Sequence, residues 1–156
     1  MSCCIPSFFT GCMFSDIPSY LQNVTYEKST PFIPPVTKGK VVKVYDGDTI
    51  TVASRIMNSK KVYRFSVRLN GIDSPEIKGK TVEEKTAAIK SRDALKDIIF
   101  GQIVVLKDVK TEKYGRLLAT VYHNNVNMNN WMLENNLAIP YDGGKKIEFE
   151  KYKNNE

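Results

Sequence analysis

Residues 40–52 read KVVKVYDGDTITV. Val41, Val42, Val44 and Tyr45 form one β-rich run and Thr49-Ile50-Thr51-Val52 a second, with Asp46-Gly47-Asp48 as a turn signal between them. This stretch predicts two strands joined by a hairpin or tight bend. Further on, Tyr63, Phe65, Val67 and Leu69 alternate with Arg64, Ser66, Arg68 and Asn70. A period of two predicts a third strand with one apolar face, from which Arg68 projects away. Thr81-Val82-Glu83-Glu84 has the form of a capping box, followed by Ala88, Leu95 and Ile99 at helical spacing and by Gly101, which predicts a helix near 82–100. Two more strands are expected at 103–107 and 117–122, with Glu112-Lys113-Tyr114-Gly115 turning between them. Asn129 is expected to cap a short helix through Trp131, Met132 and Leu133, with Asn136 as its left-handed exit.

The order strand, strand, strand, helix, strand, strand, helix fits a mainly β protein with helices (α+β). Its expected form is a five-stranded Greek-key barrel of the oligonucleotide/oligosaccharide-binding type, with one helix inserted after the third strand and a short second helix. A parallel α/β sheet fits less well, because strands and helices do not alternate. At 156 residues, 42% hydrophobic and 26% charged, the chain has the size and texture of one globular domain and excludes a disordered, collagen-like or coiled-coil protein. No run approaches the roughly 18–20 apolar residues that span a bilayer.

The net charge is +6, and only Asp16, Glu27 and Lys28 precede Lys38, so residues 38–156 carry +7. That excess favours anionic partners, nucleic acid or an acidic membrane surface. Residues 1–37 have another texture: they hold five of the seven prolines and all three cysteines, Cys3, Cys4 and Cys12. They read as an extension ahead of a domain at 38–141, which a short charged tail, 142–156, follows. No Lys or Arg precedes Lys28 and Pro6 interrupts the apolar stretch, so a secretory signal fits poorly. Two readings of the extension stand side by side. Cys3 and Cys4 beside Phe8, Phe9 and Phe14 suit S-palmitoylation and shallow membrane insertion; alternatively Ile5, Phe8, Phe9, Ile17, Tyr20 and Leu21 pack on the domain. No compartment is indicated, and a monomer is expected from size and charge.

Three patches place charged groups beside turn residues: Asp46-Gly47-Asp48-Thr49, Arg68-Leu69-Asn70-Gly71-Ile72-Asp73-Ser74-Pro75-Glu76, and Lys113-Tyr114-Gly115-Arg116. Singly, each has a plain explanation as a turn, a strand end or a surface charge. Asp48 does not fit an EF-hand, because Ile50 and Thr51 break the alternation of oxygen ligands. Together the patches offer carboxylates for a hard divalent cation, a base, and positive charge for a phosphate. His123, at the end of a strand beside Asn124, reads as a solvated or loop-capping residue, and Trp131 as a core or helix-packing one.

In this order and spacing the three patches resemble the staphylococcal-type thermonuclease family, whose hallmarks are a DGDT turn, an arginine leading to a DxPE strand end, and a KYGR turn. The resemblance covers about residues 38–141. It implies that Asp48 and Asp73, with the Ser74 carbonyl, hold Ca²⁺ (or Mg²⁺), that Asp46 hydrogen-bonds the waters on the metal, and that Glu76 acts as general base. It further implies that Arg68 and Arg116 grip the phosphate, and that Lys113, Tyr114 and Tyr141 contact the substrate. The implied reaction is hydrolysis of DNA or RNA phosphodiesters with low sequence specificity, leaving 3′-phosphate ends. Tyr114 and Tyr141 beside basic groups suit stacking of unpaired bases, hence single-stranded or breathing substrates.

Only fifteen residues follow Tyr141, where the family resembled has a third helix; lower stability, or compensation by residues 1–37, is the expectation. The principal rival is an inactive nucleic-acid-binding adaptor on the same barrel. A third reading is a membrane-tethered structural factor, which is compatible with the first.

Overall fold

A computed structural model describes residues 17–79 and 81–144. Among the described residues eight strands and two α-helices follow in the order β1 (Lys38–Asp46), β2 (Thr49–Ser54), β3 (Tyr63–Leu69), β4 (Ile72–Asp73), α1 (Val82–Ile99), β5 (Ile103–Thr111), β6 (Leu117–His123), β7 (Val126–Asn127), α2 (Met128–Glu134) and β8 (Ile139–Pro140). β3, β2, β1, β5 and β6 are successive antiparallel neighbours, and a parallel β3–β6 pairing closes them into a five-stranded barrel. The short β4 and β8 pair beside it. Closure removes exposed sheet edges and creates an interior.

That interior takes alternate residues of each strand: Val41, Ile50, Val52, Val67, Leu69, Val104, Leu106, Ala119 and Val121 are all buried. α1 presents Ala88, Ser91, Leu95 and Ile99, and α2 adds Met128 and Met132. Full burial of each such aliphatic side chain stabilises the fold by about 1.5–3 kcal/mol. Val36, just ahead of β1, is 2% exposed and belongs to the same core.

The chain divides into two compact units, Met1–Phe32 and Ile33–Glu156. Of the first, the described part is one 3-10 turn, Ser19–Leu21, followed by hydrogen-bonded turns at Thr25–Lys28 and Tyr26–Ser29. Residues 1–16, which carry Cys3 and Cys4, lie outside the described residues, as do residues 145–156 of the tail. Among the described residues no helix is long and apolar enough to cross a membrane.

The five barrel strands and two helices agree with the pattern of the sequence, the two-residue strands β4, β7 and β8 are additional, and three further differences stand out. Thr81 caps α1, its Oγ1 accepting from the Glu84 N–H at 3.1 Å, and Gly101 leaves the helix at φ 76°. The first difference is at α2, where the N-cap is Asn127, whose Oδ1 accepts from Asn129 and Asn130 N–H. Asn129 instead turns inward and ties α2 to the barrel: its Oδ1 accepts from Val121 N–H at 2.9 Å, and its amide donates to the carbonyls of Asn70 at 2.7 Å and Ala119 at 3.3 Å. Asn136 takes the left-handed conformation, φ 54°. Second, β5 runs on to Thr111, because Asp108 at φ 53° and a register shift between Lys107 and Lys110 let the strand bend without ending. Third, Arg68 lies off the apolar face but is not exposed (8%): carboxylates enclose it.

Candidate active site

The DGDT turn needs its glycine for space. A Cβ on Gly47 would collide with Ser91 Oγ of α1 and press on the Ser74 side chain, so only glycine lets the β1–β2 turn seat against the helix. Ser91 Oγ in turn donates to the Leu137 carbonyl at 2.7 Å. One buried hydroxyl therefore fixes α1 to the chain after α2, and α1 fixes the turn that carries Asp46 and Asp48. β2 pairs with β3 so that Thr49 faces Arg68, and the Leu69 N–H donates to the Asp48 carbonyl at 2.8 Å. β3 then turns through Gly71, at φ 78°, into β4 and delivers Asp73, Ser74 and Glu76. The β3–β6 closure aligns Arg68 with Leu118, which places Arg116, at the head of β6, two residues from Arg68 along the seam.

The result is a cleft of about 210 Å³ lined by Asp46, Asp48, Thr49, Arg68, Ser74, Glu76, Glu112, Arg116 and Tyr141. At its floor Arg68 bridges two buried acids: Nη1 lies 2.7 Å from Asp48 Oδ2 and Nη2 2.6 Å from Asp73 Oδ1. Nη2 also donates to the Ile72 carbonyl at 3.3 Å. These bonds use three of the five guanidinium donors. Asp48 is further held by Thr49 Oγ1, at 2.8 Å from Oδ1, and by the Ser74 N–H, at 3.3 Å from Oδ2. Burial pushes the Asp48 carboxyl above the usual carboxylate range, with Arg68 and those two hydrogen bonds pulling against it. For Arg68 burial acts downward, but Asp48 and Asp73 outweigh it and hold the guanidinium firmly charged.

The upper wall is built differently. Tyr114 and Gly115 both take positive φ, 71° and 75°, so the chain reverses tightly between β5 and β6. Across that reversal Arg116 reaches back to Glu112 in a two-pronged pair, Nε–Oε2 2.7 Å and Nη2–Oε1 3.1 Å. Both side chains remain about 30% accessible. Tyr141 stands over Arg68, 5.8 Å from guanidinium carbon to ring centre, and its hydroxyl donates to the Gly144 carbonyl at 3.0 Å.

The structure thus brings Asp46, Asp48, Arg68, Ser74, Glu76, Arg116 and Tyr141 to one cleft, with Asp73 directly behind Arg68. Tyr114 is not part of the lining and is 93% exposed on the rim turn. Lys113 begins that turn, and its side chain lies outside the described ones. His123 ends β6, its Nδ1 3.2 Å from the carbonyl of Ile103 at the start of β5, and Trp131 packs against the core. Sequence reasoning missed Glu112 and Thr49. Glu112 stands four residues before Arg116, the spacing of an ion pair on a helical turn, yet a strand-to-strand turn was the expectation there.

The cleft has four lining carboxylates, of Asp46, Asp48, Glu76 and Glu112, against two guanidiniums. Such a pocket repels a phosphodiester unless further positive charge enters. Its donors are all hard oxygens, with no His or Cys, which suits Ca²⁺ or Mg²⁺ and not zinc. Among the described residues no three His, Cys, Asp or Glu side chains converge to hold a metal by themselves, so an ion in this cleft would have to draw on main-chain and water oxygens as well as carboxylates.

Comparison with known proteins agrees with this geometry. The family described as staphylococcal nuclease homologue matches residues 66–155. An uncharacterized endonuclease of Escherichia coli O157:H7 is 33% identical over 124 residues, 79% of this chain and 73% of the relative. A micrococcal nuclease of Shigella flexneri is 34% identical over 85 residues, 54% of this chain and 42% of the relative. Protein ParB of Escherichia coli is 36% identical over 87 residues, 56% and 42% of the two chains. With more than half its length matched and the three sequence patches folded onto one cleft, the chain belongs to the staphylococcal nuclease homologue family.

Proposed function

We propose that the protein is a nuclease that hydrolyses phosphodiester bonds of DNA or RNA with the help of a hard divalent cation, Ca²⁺ in the first instance. The carrying observation is the meeting of Arg68, Arg116 and Glu76 in one acidic cleft at the barrel seam. Family membership and the endonuclease and nuclease names of the relatives support the broad reading. Asp48, Asp73 and the Ser74 carbonyl are the groups that would hold the cation, with Asp46 hydrogen-bonded to its waters. When bound, it supplies the positive charge that lets an anionic phosphate enter and that offsets charge built up during hydrolysis.

Glu76, exposed at the cleft edge, takes a proton from the attacking water. The new bond joins the water oxygen to phosphorus and the broken bond is that from phosphorus to the 5′-oxygen. The 5′-oxygen acquires a proton from solvent, and the products are a 3′-phosphate and a 5′-hydroxyl. Arg116 approaches the phosphate from the accessible wall, and the donors of Arg68 not spent on Asp48, Asp73 and Ile72 approach from below; both grips strengthen as charge moves onto the phosphoryl oxygens. Tyr141, and Tyr114 and Lys113 on the rim turn, contact the flanking nucleotide. Stacking on tyrosines favours unpaired bases, and contact through phosphates gives low sequence specificity.

The test is cleavage of end-labelled single-stranded DNA and RNA with Ca²⁺, with Mg²⁺ and with chelator. Cation-dependent cleavage leaving 3′-phosphate ends is expected. Binding without cleavage of either strand under every ion overturns the reading in favour of an adaptor.

A further inference from the structure

Outside the cleft, one face of β1 and α1 carries a second concavity with the opposite charge. β1 has register shifts at Val41/Lys43 and Val44/Asp46; these bulges bury Val41 and Val44 while turning Lys43 and Tyr45 to the surface. Across from them, the last turns of α1 present Arg92, Lys96 and, at the helix end, Phe100. Together these residues line a groove of about 520 Å³ to which none of the described acidic residues contributes. Arg92 shares its charge with Asp93, 2.8 Å away, while the two lysines each stand by an exposed ring: Lys43 Nζ is 5.2 Å from the Tyr45 ring centre and Lys96 Nζ 5.8 Å from that of Phe100. Tyr45 is 45% and Phe100 51% exposed.

The groove is continuous with the cleft. Tyr45 and Ile77 line both the groove and a smaller depression, and Asp46 and Glu76 line both that depression and the cleft. A surface of isolated charges is ordinarily just solvated. Here each ammonium group is paired with an exposed ring along a concave surface that reaches the depression beside Glu76, and cations set beside aromatic rings suit the phosphates and bases of a single strand.

We propose that this groove is a binding track for the single-stranded nucleic acid that runs on from the scissile phosphate, with Lys43, Arg92 and Lys96 meeting phosphates and Tyr45 and Phe100 stacking bases. The proposal rests on the nuclease reading for its polarity, though not for the binding itself. It gives the enzyme a reason to act on polymers: the cleft is acidic, so capture of the polyanion falls to the groove.

The variants are Arg92→Gln/Lys96→Gln and Phe100→Ala in the full chain, chosen because these residues, unlike Lys43 and Tyr45, line nothing near Arg116. Thermal midpoints check that both fold. Cleavage of a 20-nucleotide single strand and of a dinucleotide is followed over a range of salt. For the long strand, KM is expected to rise about tenfold in Phe100→Ala, since loss of one stacked base is worth about that factor, and to rise most at low salt in the double variant, which loses phosphate contacts, with kcat unchanged in both. The salt slope of log KM should fall by roughly 1.4 in the double variant, about 0.7 for each lost phosphate contact. Dinucleotide cleavage should not change. Equal losses on both substrates, or no loss on either, overturn the track. Binding of a fluorescent 20-mer to the same variants in a Glu76→Gln background separates the two readings: if the parent protein cuts nothing but the groove variants still bind tenfold more weakly, the nuclease reading fails and the track stands. If binding is unaffected, the track fails whatever the cleavage.

Discussion

Two arginines face the same cleft from neighbouring strands, and they are built in opposite ways. Arg68 is enclosed, 10% accessible, and bonded to two buried carboxylates and a carbonyl. Arg116 is 30% accessible and bonded to one carboxylate across a turn. The first therefore holds the barrel end together as well as lining the cleft. Taking three charges out of water is costly, and only their mutual contacts offset it; removing one leaves the others buried and unsatisfied. The second pair is part-buried but reached by water, where an ion pair contributes about 1 kcal/mol. In the proposed nuclease Arg68 would couple stability to function, whereas Arg116 would serve function alone.

The largest effect is expected from Arg68→Met, which strands Asp48 and Asp73 without a counter-charge. It should lower the unfolding free energy by about 3–5 kcal/mol, measured by denaturant titration, and abolish cleavage; a loss below 1 kcal/mol would erase the contrast between the two sites. Arg116→Ala should cost about 10²–10³-fold in kcat, as expected for a group that stabilises transition-state charge, with stability changed by less than about 1 kcal/mol. A large drop in thermal midpoint for that variant would break the comparison from the other side.

A smaller effect concerns Asp48 and pH. Because its folded carboxyl is held above the usual range, the folded protein binds a proton there that the unfolded chain releases. In acid both states are protonated and nothing is lost. As pH rises through the unfolded and then the folded value, ionisation costs the folded state stability that is not recovered. Asp48→Asn escapes that cost, so its thermal midpoint relative to the parent should climb from acid to neutral pH, on top of any constant offset from the lost Arg68 contact. A difference that stays flat or falls with pH contradicts the environment assigned to Asp48. The smallest effect is expected for Glu112→Gln, which loosens Arg116 without removing it: a few-fold change in KM, and stability within about 1 kcal/mol.

Much of this was legible in the sequence because local signals agreed with the fold. The alternation in β3, the capping box at Thr81 and the glycine after α1 each name their element through a short-range cause. The three motif patches hold most of the residues that line the cleft, but not Glu112 or Tyr141, and they include Tyr114, which stands outside it. What stayed hidden depended on tertiary contact. That Asn129 bonds Val121 and Asn70, 59 residues away, follows from where α2 docks; a helix-start Asn reads locally as a cap. The burial of Arg68 follows from barrel closure, which brings Asp48 and Asp73 around it, while strand parity alone put it outward. The Glu112–Arg116 chelate needs two successive left-handed residues, of which only Gly115 announces itself. The basic groove arises from bulges in β1 that the run of β-rich residues does not reveal.

The most direct test of the account is Glu76→Gln. Glu76 lines the cleft at its exposed edge, so the substitution should leave the thermal midpoint in place. Cation-dependent cleavage of single-stranded DNA or RNA by the purified parent protein, falling at least about 10²-fold in the variant, is the expected result for loss of a general base. Cleavage that persists undiminished in Glu76→Gln, or a parent protein that cuts neither strand with any cation, would contradict it.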